Sequence, residues 1–195
     1  MGAINFSGIV LNGGRSSRMG EPKGEMEFLG RRLMEGPLEA LRESGASEVI
    51  VVGGDRPNWL GSDVSYEADK HPGEGPLGGI ITALTVSHEQ NIMALSNDLM
   101  NIDVSTIQEI LSHASEPNII VPVVGGHRQV LVTLWHASVL PALCEAYDAG
   151  IRSLQTALDR LDVKEVHELD EIRFVNANTS SDIIDYIATL GESVE

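Results

Sequence analysis

The chain has 195 residues, 42% of them hydrophobic, enough to bury one substantial core, so a single domain over residues 1–195 is expected. Its 29 acidic against 13 basic side chains give a formal net charge of -16, which excludes a nucleic-acid partner, since phosphate backbones need a basic footprint. No apolar run approaches a membrane span and no leader pattern opens the chain, while a lone Cys144 excludes internal disulfides and multi-Cys zinc sites, so a cytoplasmic, reducing setting with no membrane partner is expected.

Strand-type and helix-type patterns alternate, which predicts parallel βαβ units in an α/β sheet. Ile4 to Leu11 reads as a buried first strand that ends abruptly at Asn12-Gly13-Gly14. Arg32 to Ser44 carries Leu33, Met34, Leu38 and Leu41 at helical spacing, and Gly45 suits its C-terminal cap. Glu48 to Val52 is a short strand closed by Gly53 and Gly54, and Val64 to Glu67 is another, before a loop rich in Pro and Gly. Pro76 occupies a first-turn position and opens a helix through Ile80, Ile81, Leu84 and Val86.

Asn91 to Ser96 is a central strand with Asn97-Asp98 at its carboxyl end, and Val104 to His113 is a helix capped by Asp103 or Ser105. Ile119 to Val124 and Gln129 to Trp135 are two strands joined across Gly125-Gly126 as a hairpin-like insertion. Pro141 to Ala149 and Ser153 to Leu161 are helices separated by Gly150, and Cys144 falls on the first of them as a core residue. Val163 to His167 and Arg173 to Val175 are short strands, before a last helix from about Ser180 to Leu190 capped by Thr179, Ser180 or Ser181. In open α/β sheets ligands bind beyond the carboxyl strand ends, so the loops after Leu11, Val52, Glu67, Ser96 and Val175 are where a site is expected.

The strongest local signal is the loop from Leu11 to Lys23. Gly13 and Gly14 let a ligand approach the main chain, and successive N–H groups of such a turn make an anion-binding concavity. Five of the 13 basic residues, Arg15, Arg18, Lys23, Arg31 and Arg32, fall in or just after this loop, so an acidic chain concentrates its positive charge where a small polyanion would lie. The loop is not a Walker A motif, because Gly24 follows Lys23, and it lacks the G-x-G-x-x-G spacing. The six histidines have no H-x-x-x-H or H-E-x-x-H spacing for zinc.

The string Leu11-Asn12-Gly13-Gly14-Arg15-Ser16-Ser17-Arg18-Met19-Gly20-Glu21-Pro22-Lys23 resembles the L-x-G-G-x-S-x-R-M-G-x-x-K signature of the MobA-like nucleotidyltransferases, most closely their molybdenum cofactor guanylyltransferase branch. Asp69 with Gly75-Pro76-Leu77-Gly78-Gly79, then Ser96-Asn97-Asp98, Gly150 to Leu154, and Phe174 to Thr179 resemble later family segments in the same order, so the likeness runs from about residue 5 to residue 190. It implies one nucleotidyltransferase domain over residues 1–195. The implied fold is a three-layer α/β/α sandwich with a mostly parallel, Rossmann-like sheet and a small antiparallel insertion, of nucleotide-diphospho-sugar transferase-like type. The implied reaction is transfer of GMP from GTP to molybdopterin with release of pyrophosphate.

Under that resemblance Leu11, Asn12, Gly13, Gly14, Arg15 and Ser16 line the nucleotide, and Arg15, Arg18 and Lys23 bind the β- and γ-phosphates, with Arg18, Lys23 and Asp98 catalytic. Asp98 holds Mg²⁺, or else is a turn former; Asp69 contacts base or ribose, or else starts its own loop. Arg152, Ser153, Asn176 and Asn178 meet the pterin substrate, or else brace a helix start and a turn. Gly13 agrees with guanine users, whereas Asn12 replaces a usual alanine, and Asn97-Asp98-Leu99-Met100 lacks a common proline. The alternatives are cytidylyl or other nucleotidyl transfer to molybdopterin or another phosphorylated acceptor, and a nucleotide-binding regulatory module without turnover. The implied partners are GTP, molybdopterin, and molybdenum-insertion or molybdoenzyme delivery proteins.

Overall fold

The computed structural model describes residues 4–13, 26–28, 30–114, 119–177, 182, 184 and 186. Among the described residues one sheet has eight strands, seven of them along a single path. Those seven are β1 (Phe6–Leu11), β4 (Glu48–Val52), β5 (Ser65–Glu67), β6 (Asn91–Ser96), β7 (Ile119–Val124), β9 (Val132–His136) and β10 (Val163–Val166). Their order is β10-β7-β9-β6-β1-β4-β5, with β8 (His127–Arg128) pairing β7 off the path. A separate hairpin joins β2 (Glu27–Phe28) to β3 (Arg31–Arg32). All pairs in the main sheet are parallel except those of β9 with β6 and β7, and of β8 with β7.

Period-two alternation explains why the sheet is covered on both faces. Phe6, Val10, Val49, Val51, Met93, Leu95 and Leu134 point into one core, packed with Met34, Leu38, Leu41, Ile107 and Ile110. Ile9, Leu11, Ile50, Val52, Ile92, Ala94 and Trp135 point into the other, with Leu77, Ile80, Leu84, Leu143 and Leu158. The helices α1 (Glu35–Glu43) and α3 (Val104–Ser112) therefore lie on one face. The helices α2 (Pro76–Val86), α4 (Leu140–Asp148) and α5 (Leu154–Leu158) lie on the other. Each aliphatic side chain fully buried this way contributes about 1.5–3 kcal/mol. No helix among the described residues is long and apolar enough to cross a membrane.

Several expectations need correction. The Val132–His136 strand is not half of an inserted hairpin but a sheet member between β7 and β6, and only His127–Arg128 turns back on β7. Gln129 to Leu131 is the turn before it, with Gln129 N–H donating to Pro122 O at 2.8 Å and Val132 N–H to Gln129 O at 2.9 Å. Arg32 is strand, not helix: the Glu35 carboxylate accepts from Arg32 N–H at 3.3 Å and from its guanidinium, holding that residue extended until α1 begins. Arg173 to Val175 is no strand either. The Asp170 carboxylate caps a 3-10 turn over Glu171–Phe174, accepting from Ile172 N–H at 3.2 Å. Cys144 is half-buried at the edge of the second core. In the expected last helix Asp182, Ile184 and Tyr186 are helical, while its cap residues lie outside the described residues.

Candidate functional site

Register places four turns on one edge of the sheet. Leu11 pairs with Val52 on one side and Ser96 on the other, and Val52 pairs with Glu67. The residues that follow, Asn12, Gly53, Ala68 and Asn97, thus all leave the sheet at its carboxyl edge, as the parallel ladder requires. The ladder continues just past the strands, with Asn12 N–H donating to Val52 O at 2.8 Å and Asn97 N–H to Leu11 O at 3.2 Å. Leu11 therefore offers the site its main chain, while its side chain packs under α2 against Gly79.

Asp98 is the most buried acid here, at 8% exposure. Ser96 Oγ donates to Asp98 Oδ1 at 2.7 Å and lies 3.4 Å from Asn176 Oδ1, so one hydroxyl gathers the two expected site residues. The return segment after the 3-10 turn clamps this turn on both sides. Met100 N–H donates to Val175 O and Ala177 N–H to Asp98 O, both at 2.9 Å, and Leu99 bridges Asn176. A strand-like contact from the other end of the chain thus stiffens the turn after Asp98.

Asp69 starts its own loop, the second of its two expected roles. Its Oδ1 accepts from His71 N–H at 2.9 Å, an Asx turn that starts the loop, and from the buried Thr82 hydroxyl at 3.2 Å. Its Oδ2 has no hydrogen-bond partner among the described residues, and its Cβ lies about one van der Waals contact, 3.5 Å, from where a side chain on Gly53 would begin. Gly53 and Gly54 are held in turn by Gly53 N–H donating to Glu67 O at 2.9 Å and by Tyr66 Oη donating to Gly54 O at 2.6 Å.

Arg152 belongs to a clasp around Tyr147. Its Nε donates to Glu74 Oε2 at 2.8 Å, its Nη1 to Tyr147 O at 2.6 Å and Ile151 O at 3.0 Å, and its guanidinium lies 3.8 Å above the Tyr147 ring. The Tyr147 hydroxyl also donates to Glu74, and His71 packs on the same ring with centroids 4.3 Å apart. These bonds, from Tyr147 first and then Arg152, hold the Glu74 carboxyl below its ordinary value, while burial and the Glu74 contact push the Tyr147 phenol up. Arg152 Nη2 has no hydrogen-bond partner among the described residues. Ser153 is exposed and caps α5, its Oγ accepting from Thr156 N–H at 3.4 Å.

Of the basic cluster, Arg31 pairs with Glu35 and Glu39, and Arg32 pairs with Glu35 and lies 5.0 Å over the Trp59 ring. Both are thereby committed to protein partners. Gly14, Arg15, Ser16, Arg18, Lys23 and Asn178 lie outside the described residues. Sequence reasoning passed over Thr82, which anchors Asp69, and the side chains of Ser96 and Asn97, whose only signal was adjacency to Asp98. Glu74 and Tyr147 carried no signal, because 73 positions separate them.

The sequence profile of the MobA-like NTP transferase domain matches residues 8–163. A molybdenum cofactor guanylyltransferase from Xanthomonas euvesicatoria is 34% identical over 153 residues, which are 78% of this chain and 70% of that protein. Among solved structures, the molybdopterin-guanine dinucleotide biosynthesis protein A of Archaeoglobus fulgidus superposes with a TM-score of 0.77 at 22% identity, covering 95% of this chain and 99% of its own. A Mycobacterium tuberculosis protein crystallised in complex with manganese superposes with a TM-score of 0.74 at 17% identity, covering 95% and 99%. At those identities the two structures speak for the fold alone, a mostly parallel mixed sheet flanked by helices, of the nucleotide-diphospho-sugar transferase type.

Proposed function

The chain belongs to the MobA-like NTP transferase family, an enzyme family, and on that premise we propose that it transfers GMP from GTP to molybdopterin, giving the guanine dinucleotide cofactor. The observation that carries the reading is the convergence at one sheet edge of Asp98, Asn176 and Asp69 near Gly13, with a relative named molybdenum cofactor guanylyltransferase. In the reaction a terminal phosphate oxygen of the acceptor forms a bond to the α-phosphorus of GTP. The α–β bridging P–O bond breaks, and pyrophosphate leaves with that electron pair. Little covalent work falls to the protein; positioning and charge stabilisation dominate.

Two polyanions must meet, so Arg15, Arg18 and Lys23 are assigned to the β- and γ-phosphates and Gly14 and Ser16 to the nucleotide. The Asp98 carboxylate, with the Asn176 amide oxygen near it, is a hard oxygen donor set that fits Mg²⁺. No group of three or more His, Cys, Asp or Glu among the described residues could form an all-protein cage, which suits a metal completed by phosphate oxygens and water. When bound, Mg²⁺ would neutralise phosphate charge. Asp69 Oδ2 is assigned to base or ribose, and Arg152, Ser153, Asn176 and Asn178 are assigned to the pterin. We place the reaction in the cytoplasm, in one domain, with a molybdoenzyme or its delivery protein receiving the product.

The test is turnover of the purified protein with molybdopterin, Mg²⁺ and either GTP or CTP, followed by pyrophosphate release. GTP-dependent release supports the proposal. A preference for CTP moves the chain to cytidylyl transfer, and nucleotide binding without pyrophosphate makes it a regulatory module.

A further inference from the structure

One side chain ties three of the four strand-end turns together. Asn12 Oδ1 accepts from Asn97 Nδ2 at 2.8 Å, and Asn12 Nδ2 donates to Asp55 O at 3.2 Å. A backbone carbonyl only accepts, so Asp55 fixes which end of the Asn12 amide is nitrogen, and this in turn orients the Asn97 amide. Asn97 is 6% exposed, and its neighbour in the same turn is Asp98. The approach is close enough that a side chain on Gly54 would begin 2.3 Å from Asn12 O. Both polar atoms of Asn12 are thereby engaged with protein, although this residue adjoins Gly13.

We propose that Asn12 is a positioning residue that couples the Gly53–Asp55 turn to the Asp98 turn through Asn97, so that it sets the Mg²⁺-dependent part of nucleoside triphosphate binding without touching the base. The inference rests on the function proposed above. Without the bridge, the Asn97-Asp98 turn loses the side-chain tie that Asn12 gives it, and the Asp98 carboxylate shifts from the position that the bridged turn gives it. Partners of this outer kind typically change metal affinity about 10- to 100-fold.

The experiment titrates intact protein calorimetrically with GTP, once with Mg²⁺ and once with EDTA, for wild type, Asn12→Ala, Asn97→Ala and the double variant. With Mg²⁺, each single variant should bind about tenfold more weakly, and the double variant about tenfold rather than a hundredfold, because both remove one bridge. With EDTA, all four should agree within about twofold. Asn12→Ser and Asn97→Ser replace the alanine variants if either does not fold. Equal losses with and without Mg²⁺ would reveal a merely structural bridge, and additive or absent losses would remove the coupling; each overturns the proposal. Wild-type protein that binds no GTP overturns the functional reading itself, and this inference with it, whereas GTP binding by wild type with indifferent variants overturns the inference alone.

Discussion

Two glycines flanking Asn12 should respond in opposite ways to the same change. A β-carbon at Gly54 would lie 2.3 Å from Asn12 O and 2.7 Å from Asn12 Nδ2, on a backbone with φ of 60°. Gly54→Ala therefore combines left-handed strain of about 1–2 kcal/mol with overpacking of about 1–3 kcal/mol. At roughly 2–4 °C per kcal/mol for a domain of this size, the unfolding midpoint should fall by about 10 °C. A β-carbon at Gly13 meets no described atom within 4 Å, and its φ lies outside the left-handed region. Gly13→Ala should leave the midpoint unchanged or raise it slightly, since alanine stabilises a compatible glycine site by about 0.4–1 kcal/mol.

The cost of the Gly13 methyl should instead fall on the ligand. Crowding worth about 1–3 kcal/mol weakens GTP binding roughly 5- to 150-fold, and the smaller cytosine base should be affected less. The assay pairs thermal unfolding of the free protein with GTP and CTP titrations of both variants. The reasoning fails if Gly13→Ala destabilises the free protein as much as Gly54→Ala does, or if GTP and CTP lose affinity equally.

Asp98→Ala should lower Mg²⁺-dependent pyrophosphate release by about 10²-fold or more while the protein stays folded, because the Asp98 bond to Ala177 is main-chain; preserved turnover would remove Asp98 from the mechanism. Arg152→Lys keeps the charge but loses the planar fork, so KM for the phosphorylated acceptor should rise about tenfold with KM for GTP within about twofold; equal changes in both would show that Arg152 only holds Glu74 and Tyr147. At the opposite edge of the sheet, His88 is raised by its hydrogen bond to Glu48. Burial would raise Glu48, yet bonds from His88 N–H, Ser7 and the His88 ring hold it below its ordinary value. The raised His88 stabilises below its ordinary 6.5 and loses this as pH climbs through its folded value, while the lowered Glu48 stabilises above its ordinary 4.5 and loses this as pH drops. The midpoint difference between wild type and His88→Ala should accordingly be largest between those two values, and a pH-independent difference would refute the pairing.

Where one physical rule dominated, the sequence was legible. Glu48–Val52, Asn91–Ser96 and Ile119–Val124 are strands with the expected bounds, because doubly buried parallel strands read as unbroken apolar runs. Pro76 opens α2 as its fixed φ requires. The site was legible to the extent that strand-end positions follow from the ladder, which brings Asn12, Asp69 and Asp98 to one edge. The place of Val132–His136 was not legible, because a two-residue turn at Gly125-Gly126 looks the same whether the returning strand stops at the edge or continues between two others. Nor was the capped turn at Glu171–Phe174, where Asp170 and the Arg173 pair with Asp103 outweigh local strand preference. The Asn12–Asn97 bridge spans 85 positions, and no local pattern encodes a contact of that kind.

The clamp of Val175 to Ala177 on the Asp98 turn also orders events in time. Ser96 and Asn176 stand 80 positions apart, and the pairing of β1 with β6 spans a similar length of chain, so both meetings carry a loop-closure cost. During synthesis β1, β4 and β6 have all been made before residue 175, and the Asp98 turn waits for its last restraint. Most of the sheet is thus available for pairing before the segment that clamps the Asp98 turn exists, so closing that turn comes late in the order of synthesis.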